Sequence, residues 1–390
     1  MSSPPSPDDE RLRRWRLILG APAAEALGVG LGDGGMAMDR ALGALYDGER
    51  KGGLGASAPS VARWLGDIRT YFPSPVVQVM QRDALERLGL GQMLLQPELL
   101  EAVEADVHLV TTLLTLSKVI PERTKETARQ VVRKVVDDLE RRLRNPLLQA
   151  VQGALSRAHR TRRPRLREID WPRTIRRNLK NYVPERRTII PTELHGFGHK
   201  RQSLRDVVLC VDQSGSMAAS VVYSSVFGAV LASMRSVRTQ MVVFDTNVVD
   251  LTEDLHDPVD LLFGTQLGGG TDIAKAVAYC RQIITRPEQT ILVLITDLFE
   301  GGDVRLMRER IAGLVAAGVR VLCLLALADT GAPGYDHENA RHLAELGVPT
   351  FACTPDLFPE LMAAAIQRRD LGLWAAQSGL VTARADDDAG

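Results

Sequence analysis

The pattern of apolar and polar positions changes once along the chain, near residue 203. Before that point, apolar residues recur every three or four positions, which is the spacing of one face of an amphipathic helix. After it, short unbroken apolar runs alternate with helical stretches, as is typical of a parallel sheet covered on both faces. The pattern therefore predicts an all-helical first part and an α/β second part.

The first part is predicted to consist of helices joined by loops. Its longest helix begins after Pro121, and its apolar stripe from Ala128 to Leu143 has a period of 3.6 residues. The glycine-rich stretch 28–35 superficially suggests a phosphate loop, but no strand precedes it and no Gly-Lys-Ser/Thr follows, which favours a flexible loop. The predicted helices are 11–26, 60–71, 76–89, 97–104, 106–119 and 122–144.

The second part is predicted to begin with its central strand. Five apolar residues, 207–211, end in Asp212, and such an unbroken run suits a strand buried on both faces. Residues 245–247 are predicted to form the turn of a hairpin, so that one strand runs antiparallel. The predicted strands are 207–211, 240–245, 248–252, 290–297, 319–326 and 348–353, and the predicted helices are 217–234, 257–263, 273–285, 304–317, 338–346 and 356–369.

A chain of 390 residues exceeds one usual hydrophobic core, so we expect two domains. The change of pattern places the α/β domain after a helical domain and a basic connecting segment. The predicted organisation is a disordered tail 1–10, a helical domain 11–155, a basic linker 156–202, an α/β domain 203–370 and a C-terminal tail 371–390.

The two halves of the chain carry opposite charge, although the whole has equal numbers of cationic and acidic residues, 48 of each. Residues 1–200 contain 33 Lys/Arg and 24 Asp/Glu, so 15 and 24 are left for residues 201–390. The segment 157–187 is the most basic, with twelve Lys/Arg, three acidic residues, Trp171 and Tyr182. Basic and aromatic residues together suit RNA or DNA, but a connector lying on the acidic half explains the same composition.

The cysteines and the N-terminus indicate the cellular compartment. All four cysteines lie in the second half, and none is spaced as a metal or redox pair, so we expect buried free thiols and a reducing environment. The N-terminus lacks the basic start and apolar core of a signal peptide. No apolar run reaches the roughly 20 residues that a membrane helix needs. We therefore expect a cytoplasmic protein without a membrane span.

Three segments with oxygen-bearing side chains follow strands or precede helices in the α/β part. Ligands of open α/β sheets bind at the carboxyl ends of the parallel strands, where these segments are expected. Each segment alone has another explanation, because Ser, Thr and Asp also cap helix N-termini. The three segments are Asp212-x-Ser214-x-Ser216, Gly269-Gly-Thr271-Asp272 and Ile295-Thr-Asp297.

Taken together, these segments resemble the von Willebrand factor type A (VWA) family over roughly residues 203–370, including its metal-ion-dependent adhesion site. The resemblance implies a VWA (Rossmann-like) fold, a mostly parallel sheet with helices on both faces. It further implies that Ser214 and Ser216 bind the metal directly and that Thr271 binds it directly or through water. Asp212 and Asp297 are then expected to bind it largely through water.

The chemistry of these donors favours recognition over catalysis. Hydroxyl and carboxylate oxygens are hard ligands that select Mg²⁺, with Mn²⁺ as an alternative. Few charges lie close to such an ion, so one exchangeable position would accept a Glu or Asp of another protein. Hydrolysis by a metal-bound water needs a general base, and Glu300 is the one nearby candidate. We therefore expect no enzymatic activity, with a metal-dependent hydrolase as an alternative.

The arrangement of a helical domain before a VWA domain is similar to that of bacterial CoxE-like VWA proteins, as is the segment Leu116–Val132. This resemblance implies an adaptor that works beside a MoxR-type AAA+ ATPase in remodelling, maturation or metal and cofactor insertion. The partner would be that ATPase, a client protein presenting Asp or Glu, or both. The alternative is a nucleic-acid-binding function. In that case the chain would be an RNA-binding protein of the Ro kind, and the basic segment 157–187 would contact the RNA.

Overall fold

The fold is described from a computed structural model. It describes residues 7–380 except 21–22, 47–57, 88–93, 95–99, 101–102, 118, 159, 163, 198–204, 265–268 and 330–333. The chain divides into two compact units, residues 1–135 and 136–390. The domain limits expected from the sequence stay predictions, and most of the predicted helix 97–104 lies outside the described residues.

The first unit is helical, as its apolar spacing predicts. Its core is formed by apolar side chains of α3, α4 and α5, and the Trp64 Nε1–H donates to the Ala41 carbonyl at 2.9 Å. The helices up to residue 158 are α1 (Pro7–Leu19), α2 (Ala24–Leu27), α3 (Asp33–Tyr46), α4 (Ala58–Tyr71), α5 (Ser74–Arg87), α6 (Val107–Thr115) and α7 (Glu122–Ala158).

Four features of these helices differ from the sequence expectations. The predicted helix 11–26 is two helices, because the chain turns at Gly20 with a φ of 73°. Residues 7–10, predicted as disordered, belong to α1. α3 was missed because its glycines suggest a loop, whereas Ala41 and Leu45 of that helix are buried in the core. α7 continues beyond residue 144 through Pro146, since apolar positions behind the proline are buried as well.

The segment predicted as a basic linker is folded over most of its described length. Two short antiparallel pairs and a helix form within it. They are held by side chains inside the segment, above all by Asn178. The elements are β1 (Arg160–Thr161), α8 (Trp171–Arg177), β2 (Tyr182–Val183), β3 (Thr188–Ile189) and β4 (Gly196–Phe197).

A six-stranded sheet forms the centre of the second unit, in the order β10-β9-β8-β5-β6-β7. Each of the first five strands in this order, from β10 to β6, is parallel to its neighbour. β7 pairs with β6 antiparallel, which confirms the predicted hairpin. The strands are β5 (Arg205–Asp212), β6 (Val237–Phe244), β7 (Val248–Asp250), β8 (Thr290–Ile295), β9 (Arg320–Leu327) and β10 (Thr350–Cys353).

Helices cover both faces of this sheet, which confirms the predicted α/β class. Val208 and Cys210 of β5 lie in one core cluster with α11, α12 and α13. On the other face, α9 approaches so closely that a Cβ on Gly228 would lie 3.4 Å from Leu209. The helices are α9 (Ala218–Ala232), α10 (Pro258–Gly264), α11 (Ile273–Ile283), α12 (Val304–Ala316), α13 (His337–Glu345), α14 (Phe358–Ile366) and α15 (Leu371–Gln377).

The last helix, α15, lies in the segment predicted as a C-terminal tail. Its Leu371 and Trp374 are buried, and the Trp374 ring lies 6.1 Å from the ring of Phe351 on β10. The tail expectation misses this helix because it is short and only three of its residues, Leu371, Trp374 and Ala375, are buried. The described part of the unit therefore extends to residue 380.

The helical segment Gly215–Ala232 is the single described segment that is long and apolar enough to cross a membrane, and 72% of it is buried within the protein. The cysteines are free and buried, as expected. Burial raises the pKa of the Cys353 thiol to about 12. These apolar and thiol groups therefore belong to the interior of the sheet unit.

Candidate metal centre

The oxygen-bearing segments meet at the carboxyl edge of the sheet. Asp212 is the last residue of β5, and Asp297 follows the last residue of the neighbouring parallel strand β8 by two positions. The chain leaves β5 towards β6 on one side, while β8 lies on the other. This is a topological switch point, where the strand ends open a crevice for ligands.

Asp212 is completely buried and is bonded through both carboxylate oxygens. Its Oδ1 accepts from the backbone N–H of Ser214 at 2.8 Å, and its Oδ2 accepts from the Thr296 hydroxyl at 2.7 Å. Burial raises the pKa of the Asp212 carboxyl, and these two hydrogen bonds oppose that rise in part. The side chain thus fixes the Ser214–Ser216 turn onto the end of β8.

Ser214, Ser216 and Asp297 are in direct contact. The Ser216 hydroxyl donates to Asp297 Oδ2 at 2.6 Å, although the two residues are 81 positions apart. The hydroxyl oxygens of Ser214 and Ser216 lie 3.2 Å apart. Asp297 is almost fully buried, whereas Ser216 is exposed. Together with Asp212, four of the five predicted site residues therefore form one continuous oxygen cluster.

Thr271, the fifth predicted residue, lies on the neighbouring loop at the same edge. Its backbone carbonyl accepts from the Gly301 N–H at 2.8 Å, which joins the loop before α11 to the loop after β8. A Cβ on Gly301 would lie only 2.8 Å from this carbonyl oxygen, so the contact requires glycine. Among the described residues, no hydrogen bond joins the Thr271 hydroxyl to the other four side chains.

Thr296 is a site residue that sequence reasoning did not assign. Its buried hydroxyl donates to Asp212 and accepts from the Leu298 N–H at 3.2 Å. Leu298 itself has a left-handed backbone with a φ of 65°, a conformation that costs a non-glycine residue about 1 kcal/mol. The sequence signal for Thr296 was a hydroxyl residue between an apolar strand and an Asp. Threonines that have no role in a site also occur in that position, so the signal alone does not assign Thr296.

Glu300, the candidate general base, is engaged by backbone amides. Its Oε1 accepts from the Gly302 N–H at 2.7 Å, and its Oε2 accepts from the Ala274 N–H at 3.1 Å. Burial raises the pKa of the Glu300 carboxyl, and these bonds oppose the rise. The carboxylate therefore satisfies the N-terminal turn of α11 and braces the loop after β8.

The donor set of the oxygen cluster suits a hard divalent cation. It combines the hydroxyls of Ser214 and Ser216, which contact each other, with the Asp297 carboxylate that Ser216 bonds to and the Asp212 carboxylate behind the serine turn, and Mg²⁺ prefers such oxygen ligands. No cluster of three or more His, Cys, Asp or Glu side chains in the described ranges suits a metal ion. The residues at the sheet edge thus fit Mg²⁺ or Mn²⁺ better than a soft metal.

Comparisons with known proteins agree with this fold. The family model described as "VWA domain containing CoxE-like protein" matches residues 139–362. The uncharacterized protein YehP of Escherichia coli (strain K12) is 38% identical over 354 residues, which cover 88% of this chain and 93% of YehP.

Two solved structures show a more distant likeness. One is an aerotolerance-related membrane protein from Bacteroides fragilis NCTC 9343, 16% identical, with a TM-score of 0.34 over 42% of this chain and 99% of that chain. The other is a von Willebrand factor type A protein from Catenulispora acidiphila, 14% identical, with a TM-score of 0.34 over 42% of this chain and 43% of that chain. Scores this low carry no functional argument.

Proposed function

This chain belongs to the family of VWA domain containing CoxE-like proteins, and from that premise we propose that it is an adaptor. In this proposal it binds an acidic residue of a partner or client protein through Mg²⁺, or Mn²⁺ in its place. The residues that would hold the metal are Asp212, Ser214, Ser216, Thr271 and Asp297.

The observation that supports this function best is the contact between Ser216 and Asp297 at 2.6 Å, with Ser214 beside Ser216. Hydroxyl and carboxylate oxygens from parts of the chain 81 positions apart converge there. A divalent cation would supply the positive charge that a visiting carboxylate needs. The protein supplies the fixed oxygens, and Asp212 keeps the serine turn in place through its two hydrogen bonds.

The same geometry favours binding over hydrolysis. A general base must lie within hydrogen-bond reach of the proton that it removes. Glu300 is already occupied by the amide groups of Gly302 and Ala274. These two bonds hold the carboxylate between the N-terminus of α11 and the loop after β8. The proposed protein is therefore a recognition module without an enzymatic activity of its own.

Remodelling of a bound client requires energy, which another protein would have to supply. The sequence contains no Gly-Lys-Ser or Gly-Lys-Thr of a phosphate-binding loop. In the proposal, a MoxR-type AAA+ ATPase supplies ATP-driven remodelling, and this chain directs it to a client in the cytoplasm. Remodelling would serve maturation of the client or insertion of its metal or cofactor.

The test is copurification from the native host with the full-length protein as bait. We expect an AAA+ ATPase or a client to be retained with Mg²⁺, lost with EDTA, and lost again in Ser214→Ala and Asp212→Ala. Ser233→Ala serves as the control, because this serine bonds to its own helix at the Val230 carbonyl, away from the cluster. We expect both site variants to weaken Mg²⁺ binding in calorimetry by about 10- to 100-fold.

Two results would contradict the proposal. Retention that is equal with and without EDTA would remove the role of the metal. Mg²⁺ binding that is unchanged in both site variants would remove the role of the oxygen cluster.

A further inference from the structure

The folded segment 160–197 exposes an unusual number of large apolar side chains. Trp171 and Ile175 are four residues apart on α8, hence on one side of it, and Leu179 follows at the same spacing in the next turn. We call this surface the basic apolar face. Its apolar members are Trp171, Ile175, Leu179, Tyr182 and Ile190, which are 43–57% exposed.

Hydrogen bonds of two buried side chains, Asn178 and Thr174, hold the segment that carries the basic apolar face. The buried side chain of Asn178 donates from Nδ2 to the carbonyls of Thr174 and Glu193, at 2.7 and 2.8 Å. Its Oδ1 accepts from the Thr192 N–H at 2.9 Å. The Thr174 hydroxyl bonds to both the carbonyl and the N–H of His195, each at 3.0 Å. The apolar side chains are therefore presented by a cross-linked structure.

The same face is strongly cationic. Residues 171–190 contain six Lys/Arg and one acidic residue, Glu185. None of the exposed cations of the face forms an ion pair within the part of the chain that the structure describes. These exposed cations are Arg176, Arg177, Lys180, Arg186 and Arg187.

The composition of the face selects the kind of partner. Trp, Tyr and Arg are the residues that contribute most to protein interfaces. The aliphatic side chains Ile175, Leu179 and Ile190 have no ring with which to stack on a base, whereas they can pack against other apolar side chains. Cations without counter-ions add attraction for carboxylates.

We propose that the basic apolar face is a docking site for an acidic amphipathic segment of another protein, whose apolar side chains cover Trp171, Ile175 and Leu179. Carboxylates flanking those apolar side chains pair with Arg176, Arg177 and the neighbouring cations. This site shares no residue with the oxygen cluster and needs no metal ion. It gives the protein a second contact, independent of the proposed carboxylate receptor.

The probe is a displayed library of random peptides of about 16 residues, which as helices reach about 24 Å. The full-length protein is the bait, and the variant Ile175→Ser/Leu179→Ser is the counter-selection. Val249→Ser/Leu373→Ser is the matched control, because it removes two exposed apolar side chains elsewhere in the sheet unit. A deoxythymidine oligonucleotide of about 30 residues is tested in parallel.

We expect recovered peptides to combine Asp or Glu with large apolar residues. Their affinity, measured by fluorescence anisotropy, is expected to fall about tenfold or more in the Ile175→Ser/Leu179→Ser variant and not in the control. It is also expected to fall between about 50 and about 500 mM NaCl, because the exposed charges are screened. Arg176→Ser/Arg177→Ser is a second variant, expected to weaken binding through charge alone.

The experiment separates this site from the proposed metal receptor. Peptide binding is expected to persist with EDTA and in Asp212→Ala, so its failure would leave the metal proposal standing. Recovery of no peptide, peptides without acidic residues, or equal binding by the Ile175→Ser/Leu179→Ser variant would overturn the docking site. Oligonucleotide binding that this variant abolishes, without any recovered peptide, would instead assign the face to nucleic acid.

Discussion

The carboxyl edge of the sheet and the basic apolar face use polar groups in opposite ways. At the sheet edge, the carboxylates of Asp212 and Asp297 are buried and bonded to neighbouring hydroxyls and amides. On the basic apolar face, cations such as Arg176 and Arg177 are exposed and form no ion pair among the described residues. At the sheet edge, hydrogen bonds fix the oxygen atoms at short distances from one another. On the basic apolar face, the positive charges are not neutralised by ion pairs among the described residues.

The two surfaces suit different kinds of ligand. A metal ion is small and demands oxygen atoms within a few tenths of an ångström of their required places, which buried and bonded side chains provide. A protein segment covers a large area, and exposed cations attract it before any contact is made. The buried carboxylates Asp212 and Asp297 have hydrogen-bond partners within the chain, whereas the exposed cations of the basic apolar face form no ion pair among the described residues.

The largest effect is expected from breaking a buried pair at the opposite end of β5. Asp206 is buried, and its two oxygens accept from Arg286 Nε at 3.0 Å and from Arg286 Nη2 at 2.5 Å. Arg286→Ala would leave this carboxylate without its cation. We expect a loss of about 3 kcal/mol, the lower end for a buried pair, because the Arg286 side chain is 36% exposed.

Urea unfolding measures this loss, and Arg141→Ala is the control. Arg141 pairs with Asp138 at 3.2 Å, but both side chains are more than 70% exposed. Such exposed pairs contribute about 0–1 kcal/mol. Equal losses of unfolding free energy in the two variants would show that a buried ion pair contributes no more to stability than an exposed one in this unit.

Much of the sheet edge could be predicted from the sequence, because its signals are local. Unbroken apolar runs identify β5 and β8. Asp212 at the end of β5 and Asp297 just after β8 must then lie at the carboxyl edge, because the two strands are parallel. The bridge from Thr296 to Asp212 could not be predicted in the same way. It depends on the register between two strands 84 residues apart, which no local pattern contains.

The basic apolar face shows the opposite case. Its composition was visible in segment 157–187, but a high charge and short apolar runs suggest a linker. The buried bonds of Asn178 and Thr174 to residues 192–195 make it a folded structure, and they join polar side chains to backbone atoms. Hydrophobic periodicity, which predicts the other elements, carries no signal for such contacts.

The approach of two loops at the sheet edge provides a sharper test of preorganisation. In Gly301→Ala, the new methyl group would lie 2.8 Å from the Thr271 carbonyl oxygen, so one loop must move. We expect a destabilisation of about 1–2 kcal/mol, typical of added volume in a packed site. Mg²⁺ affinity is expected to fall with it, because Thr271 and Asp297 lie on the displaced loops.

Gly215→Ala is the matched control for this substitution. Gly215 lies between the two serines of the cluster, yet nothing lies within 4 Å of a Cβ built there. Calorimetry of Mg²⁺ binding and urea unfolding should distinguish the two variants. Equal Mg²⁺ affinities in Gly301→Ala and Gly215→Ala would mean that the spacing of the two loops does not matter for the metal.

The smallest effect on stability is expected from replacing Arg176 and Arg177 of the basic apolar face. If these cations pair with no acidic group of the chain, Arg176→Ser/Arg177→Ser should change the free energy of unfolding by less than about 0.5 kcal/mol, as surface substitutions usually do. Urea unfolding would show the same midpoint and slope as the parent protein. A loss above about 1 kcal/mol would instead mean that the cations lie on acidic groups of this chain, as a connector would. The cations would then be unavailable to a partner protein. Like Arg286, they would already be paired with an acidic group of the chain.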